Sequence, residues 1–207
     1  SDGSPLDEMQ ACIAAGDHPN LVTVLGKLGN PVEHSPDHNV VQKSGSKAGL
    51  VFSFISPDYI NLGGPPDLES CTRDTYSPET SFTLPSILTI TRGIASAVAH
   101  LHTQGILHGD LYAHNILVNG TGASILGDFG AASFYSAADP ALGQALERLE
   151  VRAFGCLLED LLDRCCDTNQ DNLAIARLRR LQQDCMQSAS TMRPRFQSIC
   201  ETLAEVS

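Results

Sequence analysis

Two polar loops constrain this chain more than any other feature. His108-Gly109-Asp110 is followed by Asn115, five residues after the Asp, and Asp128-Phe129-Gly130 begins eighteen residues after that same Asp. Short apolar runs frame these pieces: Ile106-Leu107, Ile116-Leu117-Val118 and Ile125-Leu126. Asn119-Gly120 is a turn signal between the last two, so the stretch predicts a hairpin with one polar loop at its entrance and another at its exit.

Residues of these types at this spacing point to phosphoryl transfer, a reaction that asks little covalent chemistry of the protein. It needs a carboxylate to orient the attacking hydroxyl and accept its proton, and Asp110 fits that role. It also needs hard oxygen ligands for Mg²⁺, which takes one or two protein groups and fills its shell with phosphate oxygens and water. Asn115 and Asp128 fit as the metal ligands, and Gly130 lets the backbone turn sharply after Asp128. His-x-Asp alone is a weak signal. Its conjunction with the Asn and with Asp-Phe-Gly between apolar strands is a strong one.

The rest of the chain divides around residues 56–66, a Pro- and Gly-rich stretch expected as a linker between two lobes. Before it, Leu6, Met9 and Ile13 recur at helical spacing up to Gly16. Leu21 to Leu25 reads as a strand, residues 26–48 as a loop or ragged hairpin, and Leu50 to Ile55 as a buried strand. After it, residues 67–80 are polar and half loop. Pro85 suits the first turn of a helix whose face is Ile87, Thr91, Ile94, Val98 and Leu101. Val151, Phe154, Leu158 and Leu161 mark a second helix; Leu173, Leu178, Leu181 and Cys185 a third; Phe196, Ile199 and Leu203 a last one.

Composition narrows the function classes. The formal net charge is −11, so nothing favours the counterion release that drives binding to a nucleic-acid backbone, and nucleic acid is excluded as a main partner. Seven cysteines without metal spacing read as reduced thiols, which predicts a cytoplasmic protein. No uninterrupted apolar run approaches the roughly 18 residues needed to span a bilayer, so no membrane partner is expected. The chain starts on Ser, without a visible signal peptide, which leaves open that it is a piece of a longer one.

At these residues the chain resembles the protein kinase superfamily. His108 to Asn115 looks like its catalytic loop and Asp128-Phe-Gly like its metal-binding loop. His18-Pro-Asn-Leu-Val22 resembles the stretch after the regulatory helix, and Leu50 to Pro57 the strand and hinge that hold adenine. Glu150 to Leu158 resembles the buried central helix, with Glu150 in place of its usual Asp. Cys185 with Arg193-Pro-Arg-Phe196 resembles the closing helices of tyrosine-kinase-like members. The wording of the two loops is most similar to bacterial kinases attached to leucine-rich repeats, which implies an upstream repeat region in a longer parent chain.

The resemblance implies an α+β, bilobal fold: a truncated, β-containing N-lobe over 1–55, a hinge over 56–66 and a mostly helical C-lobe over 67–207. It implies ATP and Mg²⁺ as cofactors and a protein hydroxyl, of Ser/Thr or Tyr, as acceptor. Phe52, Ser53, Phe54 and Leu117 are then the expected adenine contacts. Glu8 is the remnant of a glutamate that pairs with a lysine. His108 is expected to pack on Phe129 and align the lobes rather than to react.

The pattern also departs from the family. No glycine-rich loop and no Val-Ala-x-Lys strand precede residue 50, and Lys27, Lys43 and Lys47 lie on the wrong side of the first helix to replace that lysine. Gly109 replaces the Arg that normally holds a phosphorylated activation loop. Tyr112 and His114 stand where a Lys or an Arg is usual, and no Ala-Pro-Glu follows Asp128, which leaves Arg193 without its usual partner. Two alternatives stay open: a catalytically impaired pseudokinase or interaction module, and a small-molecule kinase of the aminoglycoside or choline type, which also reads His-Gly-Asp.

Overall fold

Ser4 opens the first helix through a reciprocal cap. Its hydroxyl accepts from the Asp7 N–H while the Asp7 carboxylate accepts from the Ser4 N–H. Helix α1 (Pro5–Ala15) then runs to Gly16, whose φ of +66° lets the chain leave the helix. The computed structural model describes residues 4–28, 49–136, 140–167 and 172–206.

Strands β1 (Val24–Leu28) and β2 (Gly49–Phe52) pair antiparallel. Strand β3 (Ile60–Asn61) joins the hairpin of β5 (Ile116–Val118) and β6 (Ser124–Leu126) in a three-stranded sheet of order β3-β5-β6. Between β3 and β5 come helix α2 (Leu84–Thr103), whose Thr83 cap accepts from Ser86 N–H, and strand β4 (Ile106–Leu107). Strand β7 (Ser133–Phe134) returns to pair with β4. Helices α3 (Pro140–Asp163), α4 (Leu173–Cys185) and α5 (Phe196–Glu205) complete the helical part.

The core sits among α2, α3 and α5, where Ile87, Ile94, Leu101, Phe154, Leu158, Leu161 and Phe196 are all at most 2% exposed. Burying each such side chain contributes roughly 1.5–3 kcal/mol. The Phe154 and Phe196 rings meet edge to face at 5.5 Å. Helix α2 is long and apolar enough to cross a membrane by length and composition alone. Ten of its residues are buried against neighbouring elements, as in the core helix of a packed domain.

Several readings of the sequence are corrected. On α1 the buried stripe is Ala11, Cys12 and Ala15, whereas Leu6 and Ile13 are 58% and 50% exposed. Small side chains let the helix sit close to its neighbours, and the larger apolar ones stay outside. His100 on α2 donates to Ala15 O at 2.7 Å and His18 bonds Ser96 at 3.0 Å, so the end of α1 is held by polar clips as well.

The expected strand from Leu21 begins instead at Val24, with Leu21 in an isolated bridge to Leu126. The segment from Leu50 to Ile55 is not a buried strand: β2 ends at Phe52, and Val51, Phe52 and Phe54 are exposed. Among the described residues β2 pairs only with β1, and no second layer covers these side chains there. Ile60–Asn61, within the stretch read as linker, is a strand, and Leu62 N–H behind it donates to Ile116 O. Leu173 is exposed at the start of α4. Residues 29–48, with Lys43 and Lys47, lie outside the described residues.

Candidate active site

The β5–β6 hairpin sets the geometry. Its register pairs Ile116 with Leu126 and Val118 with Ser124, and the Asn119 side chain closes the turn by accepting from the Thr121 and Ala123 N–H groups. This register places Asn115 at the head of one strand and Asp128 just beyond the end of the other. Gly127 N–H donates to Asn115 O at 3.0 Å and ties the two loops together.

Asn115 is buried and its amide donates to both the main-chain oxygen and the carboxylate of Asp110, at 3.0 and 2.8 Å. Asp128 is exposed and has a φ of +56°, a conformation that costs a non-glycine residue energy and persists only where its surroundings impose it. Its Oδ1 accepts from Gly130 N–H at 3.1 Å. His108 is fully buried, donates to Gly127 O at 2.9 Å and lies 5.2 Å from the Phe129 ring. It therefore holds the two loops together, as expected.

The loop carrying Asp110 is anchored from beneath. The buried Glu150 carboxylate accepts from Gly109 N–H at 2.7 Å and from His102 at 2.6 Å. Gly109 has a φ of +82°, and a Cβ built there would lie 2.4 Å from Ala131 O. Glycine is required at this position by the backbone, so Gly109 is more than the loss of an arginine. Gly109→Arg, which restores the usual family residue, is expected to destabilise the chain by about 1–3 kcal/mol. Thermal unfolding of the variant checks this; an unchanged or raised Tm contradicts it.

Above these loops lies an open cleft of about 790 Å³. Val22, Phe52 and Ile55 form its apolar side, and Glu8, Asp110, His114 and Asp128 its polar side. Burial, reinforced by the charges of Glu8 and Asp128, pushes the thiol of Cys12 in the same cleft up to about 11, so it stays protonated and unreactive at neutral pH. Glu8 makes no ion pair among the described residues.

Of the residues singled out from sequence, Glu8, Phe52, Asp110 and Asp128 line this cleft, and Asn115 braces it from behind. Ser53, Phe54 and Leu117 do not line it. The Ser53 N–H is taken by Thr23 O, Phe54 is 86% exposed, and Leu117 sits in the sheet between Asn61 and Ile125. Ile55, Val22 and Cys12 were missed. Val22 and Ile55 stand in short segments with no periodicity to mark a cleft wall, and Cys12 lies off the apolar stripe expected on α1 from sequence.

Also missed is Asp74, in the polar stretch 67–80. It accepts from Ala113 N–H and from His114 Nδ1, each at 2.7 Å, and so fixes the shape of the loop between Asp110 and Asn115. The neighbouring Arg73 bridges Glu159 and Asp160 on α3 at 2.7 and 2.6 Å. Together these bonds bolt the polar stretch between the catalytic loop and the helical core.

The chain after Asp-Phe-Gly is pinned as β7 and then by Tyr135. That hydroxyl lies 3.1 Å from His102 O and 3.0 Å from the Glu147 carboxylate. Glu147 in turn pairs with Arg195 at 2.9 Å. Arg193 finds its own partners in the carbonyls of Gln187 and Arg148.

The chain matches the protein kinase domain over residues 8–148, well over half its length, and belongs to that family. It is 31% identical over 112 residues to the cyclin-dependent kinase C-2 C of Arabidopsis thaliana, covering 54% of this chain and 16% of that protein. It is 31% identical over 136 residues to the serine/threonine-protein kinase PITSLRE of Drosophila melanogaster, covering 65% of this chain and 12% of that one. With the mitogen-activated protein kinase kinase kinase mkh1 of Cytospora mali it shares 34% identity over 110 residues, 53% of this chain and 6% of the relative. The chain thus spans only a small part of the length of these curated relatives.

Proposed function

We propose that the cleft transfers the terminal phosphoryl group of ATP to a hydroxyl on a protein. The carrying observation is the contact of Asp110, Asn115 and the Asp128 loop: a carboxylate braced by an amide, tied through Gly127 to a second carboxylate. Asp110 orients the hydroxyl and takes its proton. Asn115 Oδ1 and the Asp128 carboxylate are hard oxygen donors, a set that suits Mg²⁺. Mg²⁺ would offset charge on the phosphates. The adenine would lie against Val22, Phe52 and Ile55.

Relatives named as serine/threonine kinases favour Ser or Thr as the acceptor. The reduced thiols fit a cytoplasmic setting. Relatives of this chain include kinases of a plant, of fungi, of an insect and of a virus, and these do not speak for a bacterial leucine-rich-repeat parent. The reading frame around the gene tests that expectation.

A second reading, a binding module without turnover, draws on one observation: among the described residues no Lys or Arg lines the cleft, and Glu8 is unpaired. Calorimetry with Mg²⁺-ATP and transfer of labelled phosphate to a mixture of proteins and to aminoglycosides decide the matter. Labelled protein is the expected result. Binding without transfer supports the second reading, and a labelled aminoglycoside overturns both.

A further inference from the structure

A second groove, of about 500 Å³, opens beside the catalytic loop, lined by Arg73, Tyr112, Leu149, Arg152, Cys156 and Met186 among others. Tyr112 stands two residues after Asp110, and its ring lies 5.4 Å from that of His114, which lines the cleft. This pair of rings forms the wall between groove and cleft. A polypeptide whose hydroxyl reached Asp110 would extend past it into the groove.

The charged side chains that line the groove, Arg73 and Arg152, are both cationic, in a chain whose net charge is −11. Arg73 is neutralised by Glu159 and Asp160. The other acid nearby, Asp74, is held by His114 and the Ala113 N–H. Arg152 is exposed on α3 and makes no ion pair or hydrogen bond among the described residues. Arg148, one turn earlier, makes no ion pair there either, and its Nε is buried without a partner. Burial first, and then the nearby charge of Arg152, lower the pKa of Arg193, which places the two guanidinium groups close together. Leu149, 58% exposed, and Met186 supply apolar surface beside these cations.

We propose that this groove binds an acidic segment of the protein substrate, next to the hydroxyl that is phosphorylated. The proposal rests on the reading of the cleft as a phosphoryl-transfer site and names its substrate class. Carboxylates of the segment meet Arg152, and its apolar atoms cover Leu149 and Met186. An acidic protein repels acidic partners at long range, so the attraction is local and screened by salt.

The test uses two fluorescein-labelled peptides, one Ser set among Glu and Gly, and its counterpart with Lys in place of Glu. Anisotropy titrations of the chain are expected to favour the Glu peptide by about fivefold at low salt, with the preference shrinking as salt rises. Arg152→Glu removes or reverses the preference. Arg180→Glu, the same charge change on α4 away from the groove, preserves it. Equal binding of the two peptides, or a preference untouched by Arg152→Glu, overturns the proposal. Phosphate transfer to the same peptides separates the two readings. Transfer without charge preference leaves the kinase reading standing and removes the groove. Selective binding of the Glu peptide without transfer keeps the groove as a docking site and removes the enzyme.

Discussion

Asp110→Asn is expected to lower phosphate transfer by about 10²–10⁴-fold while leaving the fold and nucleotide binding in place. The change is nearly isosteric. The amide can still meet Asn115, which donates to the Asp110 carboxylate at 2.8 Å, so the loop keeps its shape. What it loses is the negative charge that draws the proton of the attacking hydroxyl. Steady-state rates with a protein acceptor, read beside Mg²⁺-ATP calorimetry, separate these effects. Transfer that survives in the variant removes Asp110 from the chemistry. Loss of nucleotide binding with transfer would instead place it in binding.

Glu150→Ala is expected to cost about 2–5 kcal/mol of stability, a large part of the total for a domain of this size. The carboxylate is buried and takes hydrogen bonds from His102 and Gly109 N–H. Truncation leaves both donors in a dry interior, and the second ring nitrogen of His102 already has no partner among the described residues. Denaturant titration gives the loss directly. Glu150→Asp, the usual family residue, is one methylene short of spanning both donors and is expected to fall between the two. A Glu150→Ala midpoint equal to wild type would show that water reaches the pair.

The features that were legible in the sequence are local ones. The hairpin around Asn119-Gly120, Pro85 in the first turn of α2 and the buried stripe Val151, Phe154, Leu158 and Leu161 depend on near neighbours in the chain, and single-sequence patterns encode those. The stripe on α1 was misread because its period fits either face. The choice is made by how closely the helix must approach its neighbours, which selects Ala11, Cys12 and Ala15. Asp74 meets His114 across forty residues, and Glu150 meets Gly109 across forty-one. No local pattern marks such pairs. In the cleft, Glu8, Asp110, Asp128 and Phe52 were singled out from sequence, and the rest of the apolar wall was not, because Val22 and Ile55 are ordinary side chains placed there by the fold alone.

The bonds of Tyr135 bear on control. In this chain the segment after Asp-Phe-Gly is already latched by a hydroxyl held between His102 O and Glu147. Burial and those neighbouring carboxylates raise the pKa of that hydroxyl, a sign that negative charge is unwelcome there. A phosphate added to Tyr135 would bring about two negative charges against Glu147 and Glu150. Such a phosphate would displace the hydroxyl from His102 O and compete with Glu147 for Arg195, so the latch would be remade around a different charge.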